Sequence, residues 1–184
     1  MPETPGTDSR IDDVVDFWAR SRTAWFAHDP EFDERFRQTF AALYETARSG
    51  VLAHWEDTAD GCLALLVLLD QYPRNAFRGT PRMYESDDEA RRIARRVVDR
   101  DFVRRVSDEM RLFMILPFAH SETLEDQDLS VNLHRRFLPA GLGRARRHRA
   151  IVERFGRFPH RNPILGRASR PEEQRYLAAG GFQG

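Results

Sequence analysis

Apolar residues recur at helical spacing from one end of the chain to the other, and no strand-hairpin pattern interrupts them. Ile11, Val14, Val15 and Trp18 form the first stripe, on a helix expected over 11–20. Pro30 opens the next helix, which runs to about Ser49 with Gly50 as its stop. Its buried face carries Phe32, Phe36, Phe40, Leu43, Tyr44 and Ala47. Thr58 is the N-cap of a third helix that ends near Pro73. Ser86 and Glu89 stand at capping-box spacing and start an Arg-rich helix to about Arg100, with Ile93, Val97 and Val98 inward. Ser107 precedes a fifth helix over 110–116, which Pro117 halts. Two more helices follow over 123–137 and 145–155, the second stopped at Gly156. Ser169, with Pro171 and Glu172 behind it, caps a last short helix to Ala178.

Two segments break the amphipathic rule. Residues 63–69 and 112–116 are apolar all round, so each belongs at the centre with the amphipathic helices wrapped about it. The expected fold is all-α: antiparallel helical hairpins around two central apolar helices. A polar segment over 1–10 with two prolines reads as a disordered tail, and 11–184 as a single all-helical domain.

Composition narrows the setting. The 184 residues, 41% of them apolar with 13 Phe, suffice for a globular core. The 29 basic residues balance 29 acidic ones, which gives no electrostatic case for nucleic acid or an anionic membrane. All the basic residues are Arg, so a Schiff-base lysine is not available and only the position of an Arg carries information. The single Cys62 lies in an apolar run, where a buried thiol is expected. That run is far short of the ~20 apolar residues of a membrane span, and the N-terminus shows no hydrophobic signal region. A cytoplasmic location is the simplest expectation.

Each central helix ends abruptly in polar residues. The first runs into Asp70-Gln71-Tyr72-Pro73-Arg74-Asn75-Ala76-Phe77-Arg78-Gly79, and the second into Pro117-Phe118-Ala119-His120-Ser121-Glu122. The helix over 145–155 runs into Arg157-Phe158-Pro159-His160-Arg161-Asn162. If neighbouring helices are antiparallel, these three alternate helices point the same way, and their motifs share one edge of the domain. The structural alternative is that Arg and His merely satisfy helix C-termini, with Asp70 paired to Arg74 or Arg78 and Glu122 to Arg161.

These three motifs, in this order, together with Asp16-Phe17-Trp18 and Trp25-Phe26, resemble the domain-of-unknown-function 924 family. The resemblance covers about 14–177. It implies a tetratricopeptide-like helical fold and supplies no chemistry. Position 119 is Ala where the family commonly carries Met or Glu, which implies a roomier pocket if that side chain lines it.

Several Arg converging on one place suit a carboxylate or phosphate, through paired, charge-assisted hydrogen bonds. The expected function is therefore binding of a small anionic molecule, with a metal-independent acid–base enzyme as its strongest form. His120, Glu122 and Asp70 are the candidate catalytic groups. Gln71, Arg74, Asn75, Arg78, Arg157, His160, Arg161 and Asn162 are the candidate ligand-binding residues; Gln127 and Arg167 belong to the same polar inventory. Arg74 and Arg161 are the expected main anchors, with Asn75 and Asn162 holding their turns through backbone bonds. No cofactor signature is present, and neighbouring guanidinium groups argue against a metal at His120, Glu122, His160 and Asp70. His134 and His148, on Arg-rich helices, are expected to be solvated, as are His28 and His54 in linkers. The competing class is a tetratricopeptide-like module that presents a groove to a protein partner, and a third is a purely structural or assembly role with Trp25, Phe26 and Trp55 exposed at an interface.

Overall fold

The computed structural model describes residues 8–184, and among these every regular element is helical. Residues 1–7 of the tail expected over 1–10 lie outside the described residues; the rest of it is structured. Asp8 caps α1 (Ser9–Arg20) by accepting from Arg10 N. It also accepts from Trp55 Nε1 at 3.0 Å, so Trp55 is buried and does not face an interface. Trp25 is half-buried, with its Nε1 donating to Trp18 O.

Helix α2 (Pro30–Arg48) begins on an Asp29 cap, and Gly50 just beyond its end adopts φ +81°. Its phenylalanine stripe packs on Phe17 and Trp18 of α1. Thr58 caps α3 (Ala59–Leu66) by accepting from Gly61 N. The helix does not end at Pro73. A π-helical turn, Val67–Gln71, carries it into α4 (Tyr72–Ala76).

Pro73 has no N–H to give the carbonyl four residues back, that of Leu69. The Ser86 hydroxyl takes that carbonyl instead, at 2.6 Å. Ser86 is therefore not the side-chain cap of α5 (Asp87–Asp99), despite the capping-box spacing; its oxygen is engaged inside the fold.

Pro117 likewise fails to halt its helix. Helix α6 (Arg111–His120) continues through it for three more residues. Packing offsets the hydrogen bond that Pro117 cannot make, since Phe113, Met114, Ile115, Leu116, Phe118 and Ala119 are all buried. Helix α7 (Leu124–Phe137) starts on a Thr123 cap, and α8 (Leu142–Phe155) ends at Gly156 with φ +71°. The last helix, α9 (Pro171–Ala178), is capped by Arg170 and Glu173, and Ser169 bonds Asn162 instead.

The two apolar segments occupy the centre. Residues 63–69 are wholly buried, and of 112–116 only Leu112 is half-exposed. Helix α3 touches α1, α5 and α6, while α6 touches α5, α7 and α8. No helix among the described residues is long and apolar enough to cross a membrane. His134 and His148 are buried rather than solvated. His148 shares the inner face of α8 with Ala145, Ile151, Val152 and Phe155, so helical spacing outweighs its Arg neighbours.

Candidate functional site

The π turn swings Asp70 into the interior. Its carboxylate is 1% exposed and accepts from Gln71 Nε2 at 2.5 Å; its Oδ1 lies 2.7 Å from His120 Nδ1 at the end of α6. Arg74 Nη1 approaches the same Oδ1 at 3.1 Å and donates to the Asp70 carbonyl at 2.8 Å. The Arg74 guanidinium also grips Asp87, at the start of α5, with contacts of 2.8 and 3.1 Å. Burial pushes Asp70 up, but Arg74 and His120 outweigh it and hold the carboxyl at about 2. His120 is shifted below its ordinary 6.5 by burial and by Arg74, against the pull of Asp70. The resting pair is therefore a carboxylate accepting from a neutral imidazole Nδ1–H. Asp70 thus selects the tautomer that leaves Nε2 unprotonated.

Arg161 arrives from the turn Pro159–Arg161, beyond α8. It donates from Nη2 to the His120 carbonyl at 2.8 Å and lies over the rings of Tyr84 and Phe158, 4.6 and 4.8 Å from their centres. The residue is only 7% exposed, and its Nε has no hydrogen-bond partner. The carboxylate nearest to it is that of Asp87, at 3.9 Å. Burial, and then Arg74, pull its pKa down, which marks a guanidinium whose charge is incompletely answered.

Arg74, His120 and Arg161 border a cavity of about 610 Å³, with Asp70 and Asp87 behind them. Gln71, Arg74, Asn75, Arg78, His120, His160 and Arg161 line its polar side. Trp25, Phe26, Leu116, Phe158 and Phe182 line its apolar side, and Ala119 lies on the wall, as a roomier pocket requires. His28, Tyr84, Arg144 and His148 also face it, and nothing but their placement after folding singles them out. His148 and His160 are each lowered to about 4, burial being the main cause in both.

Not every expected residue lies on that wall. Glu122 faces the other side of the Pro159–Arg161 turn, where it accepts from Phe158 N at 2.7 Å and pairs with Arg167 at 2.7 Å, not with Arg161. Arg157 binds the buried Glu173, and Asn162 donates to Glu173 and Ser169 rather than to backbone. These three residues, with Arg167, shape the turn that presents His160 and Arg161. Asn75 does hold its turn by a backbone bond, to Gln71 O at 2.8 Å. Arg78 pairs with Asp33 at 2.8 Å and donates to Asn75. Gln127 ties the end of α6 by donating to the Ala119 and Ser121 carbonyls. Among the described residues no three His, Cys, Asp or Glu side chains gather in a geometry able to hold a metal ion.

A family model described as a bacterial protein of unknown function (DUF924) matches residues 14–181, which include every polar group named in this site but not Phe182. The chain belongs to the DUF924 family. A solved structure, a protein of unknown function from Agrobacterium tumefaciens, is 42% identical; the match covers 94% of this chain and all of that one, with a TM-score of 0.90. No protein with a curated description matches the chain.

Proposed function

We propose that this DUF924 protein binds a small organic anion in the cavity, with Arg161 as the anchor and the His120–Asp70 pair exchanging a proton with the ligand. The carrying observation is the state of Arg161: a buried guanidinium on a cavity wall, bonded to a carbonyl and 3.9 Å from its nearest carboxylate. A buried cation without a matched partner is costly, and an anionic ligand relieves that cost. His120 supplies the second element. With Nδ1 committed to Asp70, its Nε2 is the nitrogen available to accept or return a proton, which is metal-independent acid–base chemistry. We place this activity in the cytoplasm, in keeping with the single unpaired Cys62.

Arg74 favours a second reading for its half of the cluster. It already answers two carboxylates, which suits scaffolding. Carried to the whole cluster, that reading leaves a tetratricopeptide-like interaction module with a structural polar centre. Thermal melting separates the two. In wild type, a panel of small carboxylates and phosphates should include at least one that raises the melting temperature by several degrees; a ligand at 100 times its Kd adds ~2.7 kcal/mol. Arg161→Met should abolish that rise at a ligand-free cost within the ~1–3 kcal/mol of leaving the His120 carbonyl without its donor. No shift with any anion, or a large loss of stability in Arg161→Met, would leave the cluster as scaffolding.

A further inference from the structure

We infer that the ligand is a monocarboxylate carrying an aromatic or similarly bulky apolar group, held with its carboxylate at Arg161 and its apolar part between Phe26 and Phe182. This rests on the anion-site reading above and narrows it.

The geometry at the polar residues favours a singly charged group. Arg74 spends its guanidinium on Asp70 and Asp87, so Arg161, with Asp87 at 3.9 Å, is the guanidinium next to His120 that has no carboxylate in hydrogen-bond contact. Arg144, also on the cavity wall, lies over the ring of Phe26. A carboxylate fits the planar guanidinium fork and brings one charge. A phosphate monoester brings nearly two at neutral pH, and the second would sit near the buried Asp87, where low dielectric strengthens repulsion.

The aromatic part of the cavity lining selects an apolar group. Large hydrophobic side chains are buried almost everywhere in this protein, yet Phe26 is 61% and Phe182 36% exposed, and both line this cavity. Phe26 lies on the α1–α2 connection, parallel to Phe113, with Arg144 over its ring. Phe182 lies beyond α9, its backbone N–H held by the Tyr176 hydroxyl, and its ring meets His148 and His160 with centroids 4.8 and 5.0 Å away. Both rings line the same cavity and keep exposed surface there. An aromatic group entering between them would gain apolar burial and ring–ring contact together.

Binding of acetate, phenylacetate and phenyl phosphate, measured by calorimetry near neutral pH, tests the inference. Phenylacetate should bind at least ~10-fold more tightly than acetate. Phe26→Ala and Phe182→Ala should each weaken phenylacetate binding more than acetate binding and so reduce that advantage. Arg161→Met should remove binding of both carboxylates. If phenylacetate binds no better than acetate, or neither Phe variant alters its advantage, the apolar assignment is overturned while the anion site stands. Phenyl phosphate binding as tightly as phenylacetate overturns the single-charge assignment alone. Silence of all three probes overturns the anion site and this inference with it.

Discussion

Replacing Arg74 by Ala probes the point on which the site's charge balance turns. The guanidinium contacts Asp70 at 3.1 Å and Asp87 at 2.8 Å, and one of these carboxylates is 1% exposed. Its loss leaves Asp70 with a neutral amide and a neutral imidazole, and leaves Asp87 with Arg161 at 3.9 Å. Breaking a buried pair by removing one partner costs ~3–5 kcal/mol. At ~2–4 °C per kcal/mol for a domain of this size, the melting temperature should fall by roughly 6–20 °C.

The pH dependence carries a sign that a cavity or packing defect would not show. In wild type Asp70 is held at about 2 against an ordinary 3.8, so its stabilising contribution is present above the ordinary value and is lost as pH falls through about 2. Without Arg74, burial dominates and the folded-state pKa of Asp70 rises. The variant then carries a penalty at neutral pH that protonation relieves. The gap in melting temperature between the two proteins should therefore narrow as the pH is lowered from neutral into the acid range. Combining Arg74→Ala with Asp70→Asn should recover part of the loss at neutral pH. A gap that stays constant with pH and is not reduced by Asp70→Asn would refute the electrostatic account.

Two further outcomes follow from single contacts. Ser86→Ala removes the donor on the Leu69 carbonyl in a buried segment, so urea denaturation should show a loss of ~1–3 kcal/mol. The imidazole of His120 should titrate below 6.5 by NMR in the free protein and move upward when a carboxylate occupies Arg161; an unchanged value on binding would separate His120 from the ligand.

Helix identity was readable because the apolar positions keep a 3.6-residue period, and the central pair because residues 63–69 and most of 112–116 have no polar face. The prolines misled. Pro73 and Pro117 carry the usual stop signal, but a π turn with a substitute donor absorbs the first and a tightly packed core absorbs the second. Arg74, His120, His160 and Arg161 line one cavity, with Asp70 behind Arg74 and His120, and their nearness was expected from a common direction of three alternate helices. The placement of Glu122 was not, because its competing partners Arg161 and Arg167 differ only in which side of one turn they occupy. His148 was legible in principle, standing three residues from Ala145 and Ile151 on the buried face of α8, though the surrounding arginines masked it. Phe182 lies outside any periodic segment, and no spacing rule reaches it.

The polar residues at this edge are first of all caps. Helix C-termini leave carbonyls unpaired and carry a partial negative charge, and at the end of α6 Gln127 takes Ala119 O and Arg161 takes His120 O, while in the π turn Arg74 takes Asp70 O and Asn75 takes Gln71 O. Capping therefore explains why Arg, Asn and Gln gather at these ends, and residue type alone does not separate scaffold from site. The difference lies in what else each cap meets. A helix end offers about half an elementary charge, which cannot neutralise a guanidinium by itself. Arg74 adds two carboxylates in contact and becomes a closed structural unit. Arg161 adds only aromatic faces and a carboxylate at 3.9 Å, so the same capping chemistry leaves a charge on the cavity wall beside His120. The functional reading rests on that asymmetry between two similar turns, which is why exchanging the partners should exchange the roles. Putting a carboxylate on the cavity wall that Arg161 shares, for instance by Ala119→Asp, should silence anion binding with Arg161 and His120 still in place, and Ala119→Asn, of the same bulk without the charge, should not.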